Sequence, residues 1–193
     1  MTLEGEFVRL EPMRLEHATA LAAVGLRHDI FRYFPVAVDT TEQMEAYVRH
    51  CVAGTEAGTF VTWATVLRDT DRPVGSTGYL NIDRQNRKLE IGGTWVAPEW
   101  QRTAVNTEAK YLQLRHAFET LGCNRVEFKT DSLNAKSRAA LARIGAVEEG
   151  TMRSHMVMPD GRLRHSVYFS VIASEWPGVK ARLEEMLGRA VKH

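Results

Sequence analysis

Residues 89–106 read LEIGGTWVAPEWQRTAVN and contain the most informative junction of the chain. The first eight of them, LEIGGTWV, are typical of a strand, and after Pro98 the apolar residues recur at a helical period, with the helix expected to open at about Thr107. The first N–H groups of a helix lack intrahelical partners and carry the positive end of its dipole, so this junction suits a phosphate. Asn106 or Thr107 can cap the helix, and Arg102 adds a cation. Alone, the pattern is weak evidence, because most such junctions bind nothing.

The elements around this junction predict a mixed sheet with helices on its faces. Alternation and β-branched or aromatic runs predict seven strands, at residues 7–10, 60–67, 74–82, 89–96, 125–130, 152–158 and 164–172. Helical spacing and capping residues predict five helices, at residues 14–26, 40–53, 107–121, 134–144 and 175–190. Strands outnumber helices and most connections are short, which indicates an α/β (α+β) fold. We expect a single domain, 1–193, with a core at about 6–174 and a C-terminal helix at about 175–190.

Three local signals make these predictions specific. Thr40-x-x-Gln43 resembles a capping box at the start of the second helix. Pro159-Asp160-Gly161 predicts the turn of a hairpin between the last two strands. The third helix carries one apolar stripe at i, i+3, i+7 and i+10, with Gly122 just beyond it as a C-cap, and this stripe consists of Tyr111, Leu114, Phe118 and Leu121.

Composition excludes several classes of protein. The 193 residues include 25 Lys+Arg and 24 Asp+Glu, and this net charge of +1 supplies no overall attraction to nucleic acid or to an anionic membrane. The first twenty residues lack the features of a secretory signal, and no run approaches the roughly 18 apolar residues that span a bilayer. Cys51, Cys123 and the histidines show no metal-ligand spacing. We therefore expect a cytoplasmic protein with no metal, no nucleic-acid partner and no membrane association.

The loop before the third helix resembles a known signature. Residues 101–106, QRTAVN, follow a strand and open a helix, as does the [QR]-x-x-G-x-[GA] motif of the GNAT superfamily of acyl-CoA N-acyltransferases; the leading Gln101 is kept and both glycines are replaced. Residues 103–111, TAVNTEAKY, are similar to the T-x-V-N-T-E-A-K-Y version of the RimJ/RimL-like branch. Further matches lie, in the right order, at VRLEP (8–12), RVEFKTD (125–131), Asn134-x-x-Ser137, Gly145-Ala146, Asp160-Gly161 and EWP (175–177).

This resemblance implies a mixed, mostly antiparallel sheet that splays between its fourth and fifth strands, with acyl-CoA in the opening. The pantetheine arm would bond to the backbone of Thr94, Trp95 and Val96, and Asn134 would reach it from the other side. The pyrophosphate would bind to the backbone amides of Gln101, Arg102, Thr103, Ala104, Val105 and Asn106. Ala104 in place of glycine is at odds with any loop geometry that needs a positive φ at that position.

The resemblance also assigns catalytic roles. Glu90 lies where several members of the superfamily place a general-base glutamate, and its alternative is an ordinary polar residue paired with Arg87 or Lys88. A backbone N–H near Val96 would stabilise the oxyanion. The tyrosine that commonly protonates the leaving thiolate is replaced by Leu141. Ser137 is the expected substitute beside the CoA sulfur, and its alternative is a helix-surface serine bonded to backbone.

The implied activity is acetyl-CoA-dependent N-acetylation of a primary amine, either a protein N-terminal α-amine or a small amino compound, by direct transfer in a ternary complex. Family analogy also suggests a homodimer. Two alternatives stay open: a CoA-binding protein without efficient catalysis, which Leu141 and the altered loop favour, and an acyltransferase that uses another acyl-CoA. Arg153 and His155 could line the acceptor side of the cleft or form a structural pair.

Overall fold

The computed structural model describes residues 1–26 and 30–188, and the strands of this part of the chain form one sheet. They are β1 (Leu3–Glu4), β2 (Val8–Pro12), β3 (Val61–Leu67), β4 (Pro73–Asp83), β5 (Lys88–Val96), β6 (Arg125–Asp131), β7 (Val147–Val157) and β8 (Leu163–Ile172). Their order across the sheet is β1-β2-β3-β4-β5-β6-β8-β7. Neighbouring strands are antiparallel except β5 and β6, which run parallel.

Helices cover both faces of the sheet, as the sequence predicted. They are α1 (His17–Gly25), α2 (Thr41–Glu56), α3 (Ala104–Arg115), α4 (Ala135–Ile144) and α5 (Trp176–Met186). The first two lie on one face, where the Trp95 ring packs so closely on Gly25 that an added Cβ there would lie 2.7 Å from it. On the opposite face lies α3, whose Gln113 carbonyl accepts a hydrogen bond of 2.5 Å from the Tyr79 hydroxyl of β4.

The central parallel pair is short, and the sheet opens beyond it. The pair β5–β6 is in register at Lys88 with Arg125, at Leu89 with Val126 and at Glu90 with Glu127. Beyond these pairs β5 continues to Val96 and β6 to Asp131 without pairing with each other. The predicted splay between the fourth and fifth predicted strands is therefore confirmed; the additional strand β1, which the sequence analysis missed, makes them β5 and β6 here.

A β-bulge redirects the free end of β5. Ser76 of β4 is in register with Trp95 and Gly78 with Gly92, so three steps along β5 face two along β4. The extra residue is accommodated by Gly93, whose φ of +60° is readily adopted only without a side chain. The Ser76 hydroxyl donates to the Gly93 carbonyl at 3.0 Å and fixes the bulge. The bulge thus fixes the direction in which residues 94–96, the end of β5, continue.

A buried lysine joins α3 to this part of the sheet. Lys110 is 5% exposed, and its Nζ donates to Thr94 Oγ1 at 2.7 Å, to Thr77 Oγ1 at 3.2 Å and to Gln113 Oε1 at 3.4 Å. In the part of the chain that the structure describes, no carboxylate lies within ion-pair distance of this amine. Burial lowers the pKa of Lys110 to about 7.

A buried glutamate joins α3 to the first hairpin of the sheet. The Glu108 carboxylate accepts hydrogen bonds from the backbone N–H groups of Glu6, Phe7 and Val8, at 2.6–2.8 Å. Gly5 leaves room for it, because a Cβ at that position would lie 2.4 Å from the carboxylate carbon. This tether spans about a hundred residues of chain, and no local pattern could have predicted it.

The structure confirms some boundaries and corrects others. Thr40 and Gln43 form the predicted capping box, but α3 begins at Ala104 rather than near Thr107, because the extended Thr103 caps it. Leu121 is 51% exposed and does not continue the predicted apolar stripe. A π-helical turn over residues 116–120 inserts an extra residue there and rotates Leu121 away from the core. The predicted end of the last helix, at 189–190, lies outside the described residues.

Because Lys110 is buried without a carboxylate, its substitution should change how stability depends on pH. The unfolded chain keeps this proton up to a pH near 10.5, whereas the folded chain releases it near pH 7. Between these values the unfolded state binds more protons, so stability rises with pH. From about pH 7 to pH 9 the unfolding free energy of the wild type should rise by about 2 kcal/mol relative to Lys110→Met, measured by urea denaturation. Exposed Lys136→Met is the control; a Lys110→Met curve parallel to the wild type would contradict the prediction.

Candidate active site

Glu90 lies at the point where the sheet divides. It is the last residue of β5 that is in register with β6, and it is 2% exposed. The next residue, Ile91, is in register with Tyr79, whose hydroxyl bonds to α3, so Ile91 lies on the α3 face. Because side chains alternate along a strand, Glu90 lies on the α1–α2 face. Asn81 Nδ2 donates to Glu90 Oε2 at 2.8 Å, and Lys129 Nζ lies 3.4 Å from the same oxygen.

Glu90 does not form the expected ion pair with Lys88. Lys88 pairs with Glu127 at 3.4 Å, and the partner of Glu90 is Lys129 on the opposite arm of the fork. Oε1 of Glu90 has no hydrogen bond among the described residues. A Cβ at Gly92 would lie 3.1 Å from Oε1, so the glycine leaves space beside this oxygen. Oε2 of the carboxylate is thus bound, and Oε1 is unbonded among the described residues.

The free edge of β5 offers backbone donors to the opening. Ala97 N–H donates to the Val74 carbonyl of β4 at 2.7 Å. Successive N–H groups of a strand point to opposite edges, so the Val96 N–H points to the edge that β6 has left. Val96 O accepts from Gln101 Nε2 at 3.0 Å, which closes the turn between β5 and α3. The side chain of Thr94 is bound to Lys110, and the buried Trp95 Nε1 has no hydrogen-bond partner among the described residues.

The loop before α3 does not need glycine at position 104. Ala104 is the first residue of the helix and needs no positive φ; the residue with a positive φ, +63°, is the exposed Arg102. Thr103 follows in an extended conformation, and its hydroxyl accepts from Val105 N–H at 3.3 Å. The left-handed conformation at a non-glycine residue costs on the order of 1 kcal/mol. This departure from the glycine motif therefore leaves the helix N-terminus intact.

The first turn of α3 has the features that an anion such as a diphosphate requires. The opening N–H groups of a helix have no intrahelical acceptors, and in the described part of the chain the cap occupies that of Val105 alone. Asn106 Oδ1 is buried and has no partner in the described residues; as a carboxamide oxygen it accepts hydrogen bonds and does not itself bind an anion. Arg102 adds a cation at the same end of the helix. These residues fit the pyrophosphate-bearing half of a CoA molecule.

The α4 side of the opening supplies a polar cap and a free hydroxyl. Asn134 caps α4, and its Oδ1 accepts from Ser137 N–H at 3.1 Å. Its carboxamide oxygen is therefore occupied, which leaves its Nδ2 group for a ligand. No hydrogen bond to Ser137 Oγ occurs within residues 1–26 and 30–188, so this hydroxyl is not bonded to backbone there. Leu141 is buried in the core, one turn farther along the same helix.

A bulge in β7 affects the two residues that the sequence analysis considered for the acceptor side of the cleft. Two extra residues of β7 lie between Met152 and Met156, where Ser154 adopts a φ of +48°. This bulge breaks the period of two on which a shared face for Arg153 and His155 depended. His155 turns to the α1–α2 face, where its Nδ1 lies 3.0 Å from Ser166 Oγ.

Two sets of residues do not contribute reactive groups to this site. Cys51 and Cys123 are buried thiols, and burial raises the pKa of each, so neither is an activated nucleophile. Within the described residues, no three His, Cys, Asp or Glu side chains are arranged to hold a metal ion. None of the helices described is long and apolar enough to cross a bilayer.

Comparison with known proteins agrees with this geometry. The chain matches, over residues 8–147, the family model described as an acetyltransferase (GNAT) domain. A relative from Bacillus subtilis (strain 168), named "Putative ribosomal N-acetyltransferase YdaF", is 40% identical over 100 residues, or 52% of this chain and 54% of that protein, so this match spans about half of the relative's length.

Solved structures resemble the chain over almost its whole length. A GCN5-related N-acetyltransferase from Brucella melitensis is 29% identical, with a TM-score of 0.89 over 96% of this chain and 84% of that one. A structure described as a "putative acetyltransferase" from T. thermophilus is 37% identical, with a TM-score of 0.88 over 96% of both chains. The chain therefore belongs to the GNAT acetyltransferases, and the name of its Bacillus subtilis relative supports the RimJ/RimL-like branch.

Proposed function

We propose that this acetyltransferase transfers the acetyl group of acetyl-CoA to a primary amine, by direct attack within a ternary complex. The observation that carries the proposal is the fork between β5 and β6, which pair over three residues and then separate. A helix N-terminus lies at the end of one arm, and a buried carboxylate lies on the α1–α2 face at the base. Donor and acceptor can therefore enter the opening from different sides.

The proposed binding site for acetyl-CoA lies along the free edge of β5 and at the start of α3. The backbone of Thr94, Trp95 and Val96 at the free edge of β5 would bind the pantetheine arm, with Asn134 on the opposite side. The first-turn N–H groups of α3 would bind the diphosphate. Acetyl-CoA supplies an acetyl group activated as a thioester. A Val96 N–H that points into the opening is placed to stabilise the negative charge that develops on the carbonyl oxygen.

Glu90 is the proposed base. In water at neutral pH the acceptor amine is protonated, and this ammonium ion must lose a proton before the nitrogen can attack. Oε2 of Glu90 is held by Asn81 and Lys129, so Oε1 is the atom available to take that proton, directly or through a water. Ser137 Oγ is the proposed donor to the departing sulfur. Because a thiolate with a pKa near 8.5 can also take a proton from water, Ser137 is not indispensable.

The acceptor is proposed as a protein N-terminal α-amine or a small amino compound. The relative's name as a ribosomal N-acetyltransferase favours the first. A cytoplasmic location and a homodimer are proposed from the family resemblance. Direct transfer, without an acyl-enzyme, is supported by the two cysteines, which are buried and whose pKa values are raised.

The activity is tested by acetyl-CoA turnover with a panel of amines. Release of free thiol should depend on both acetyl-CoA and an amine and should show the intersecting kinetics of a ternary complex. Tight binding of CoA without thiol release for any amine would favour the alternative of a CoA-binding protein. A faster reaction with succinyl-CoA or a longer acyl-CoA would correct the donor and leave the reaction type unchanged.

Substitution of the proposed base should affect chemistry and not donor binding. Glu90→Gln keeps the bond to Asn81 but removes the proton acceptor, so we expect kcat to fall about 100-fold and its rise with pH to flatten. The affinity for CoA, measured by calorimetry, should not change. The matched control is Glu127→Gln, across the parallel pair, where the carboxylate is bound by Lys88 and Arg125. An unchanged pH–rate profile in Glu90→Gln would remove Glu90 from the mechanism.

A single amide at the start of α3 can be removed without breaking the helix. Ala104 is the first helical residue, where proline is tolerated, and Thr103 before it is extended, as proline requires. Ala104→Pro should therefore fold but weaken CoA binding about tenfold, because one hydrogen bond to a charged group is lost.

Thr41→Pro provides the matched control for this substitution. Thr41 is the first residue of α2, and it also follows an extended N-cap threonine. This variant should bind CoA with wild-type affinity in the same calorimetric measurement. Equal affinity in Ala104→Pro and Thr41→Pro would show that the diphosphate binds elsewhere.

A further inference from the structure

The charges on the acceptor side of the fork do not balance. Two carboxylates there have cationic partners: Glu90 lies 3.4 Å from Lys129, and Asp131 lies 2.6 Å from Arg162. Burial alone would raise the pKa of Asp131, but the hydrogen bond from Arg162 leaves it below its ordinary value. A third cation, Arg164, has no carboxylate within 4 Å among the described residues. Among these described groups, the cations therefore outnumber the carboxylates by one.

Arg164 spans the mouth of the opening. The last pair of β6 with β8 is Asp131 with Ser166, and Arg164 lies two residues before Ser166 on β8. Arg164 therefore shares a face of the sheet with Ser166 and Tyr168. Tyr168 pairs with Lys129, the partner of Glu90, so Arg164 and Glu90 are on the same face. Its Nη1 donates to the backbone carbonyl of Tyr33, in the connection between α1 and α2, at 3.1 Å.

The connection that Arg164 contacts rests on the other arm of the fork. The Phe31 ring lies 5.5 Å, between ring centroids, from the ring of Trp95 on β5. Arg164 therefore reaches from the β6–β8 arm to a segment seated on the β5 arm. A group that enters between the arms from the α1–α2 face would pass this guanidinium.

The guanidinium of Arg164 is bonded only to neutral oxygens. The residue is 5% exposed; its Nε donates to Ser166 Oγ at 3.0 Å, and its Nη2 has no partner within the described residues. Burial lowers the pKa of Arg164, but a guanidinium stays charged at neutral pH. A buried cation without a counter-charge is unfavourable, and a planar guanidinium with N–H groups to spare matches a carboxylate.

We propose, on the basis of the function proposed above, that Arg164 binds a carboxylate of the acceptor, and that the enzyme prefers acceptors with a carboxylate close to the reacting amine. Such an acceptor neutralises the surplus charge, whereas a bare ammonium ion is repelled by it. The carboxylate has two possible sources: the main chain of a free amino acid, or the side chain of an N-terminal Asp or Glu in a peptide. Arg164 determines specificity and takes no part in proton transfer.

Matched acceptors test the preference in the wild-type enzyme. The peptide pair Glu-Ala-Ala-amide and Gln-Ala-Ala-amide differs only in one charge near the amine, and β-alanine with β-alaninamide tests the small-molecule source. We expect kcat/KM, corrected for the fraction of unprotonated amine, to be at least about tenfold higher for the carboxylate member of one pair. The pair that shows the difference identifies the source. Equal kcat/KM within both pairs would overturn the inference and leave the acetyltransferase activity standing.

Substitution of Arg164 tests whether this residue causes the preference for carboxylate acceptors. Arg164→Gln should raise KM for the carboxylate acceptor about tenfold, leave kcat unchanged, and leave the kinetics of the amide acceptor within about twofold of the wild type. Arg164→Lys, which keeps the charge, should retain part of the preference. Arg49→Gln, on the exposed surface of α2, is the control. Equal losses for both acceptors in Arg164→Gln would indicate a structural role and overturn the inference.

A binding measurement separates this inference from the failure of the proposed function. N-acetyl-L-glutamate and N-acetyl-L-glutamine amide, together with N-acetyl-β-alanine and its amide, are titrated calorimetrically into the CoA-saturated protein. Preferential binding of a carboxylate ligand by the wild type, lost in Arg164→Gln, supports the inference even if no amine is acetylated. If Arg164→Gln does not fold, the wild-type and Arg164→Lys comparisons decide the matter. Equal binding of both members of each pair would refute the inference.

Discussion

The length of one parallel ladder sets the geometry of the whole site. The strands β5 and β6 are in register over three residue pairs, and the last pair brings Glu90 opposite Glu127. A longer ladder would pair the Val96 N–H with β6 and close the space beside Glu90. A shorter ladder would leave Glu90 without a neighbouring strand to hold it. The site is thus a consequence of where pairing stops, and the bulge at Gly93 determines how the free strand leaves the fork.

Buried polar groups on α3 transmit this geometry to the donor loop. Lys110 binds Thr94 and Thr77 on the sheet, and Glu108 binds the backbone of the first hairpin. Both lie in the first two turns of the helix, whose N-terminus is the proposed diphosphate site. A shift of α3 would break at least one of these sets of bonds. The helix is therefore fixed at the same end at which it would bind its ligand.

The sequence predicted the features that local rules or a motif encode. The capping box at Thr40, the hairpin at Gly161 and the fork itself belong to this group. It misplaced Leu121, because a π-helical turn changes the helical phase, and it did not foresee the bulge that interrupts alternation between Met152 and Met156. It did not single out Lys110 or Arg164, since each also bonds to groups that are distant in the sequence: Thr77 and Thr94 for Lys110, and the Tyr33 carbonyl for Arg164.

The two unmatched cations lie on opposite faces of the same fork. Lys110 is behind β5 on the α3 face, and Arg164 is in front of it on the α1–α2 face; neither has a carboxylate partner among the described residues. In the proposed function, a diphosphate, a developing oxyanion and a departing thiolate would enter the fork. Positive charge that is buried and preorganised acts strongly there, because little solvent screens it. Arg164 stays charged when it is buried, whereas Lys110, whose pKa is lowered to about 7, can release its proton. An anion that occupies the fork would offset the cost of burying Arg164 and would thereby couple ligand binding to stability.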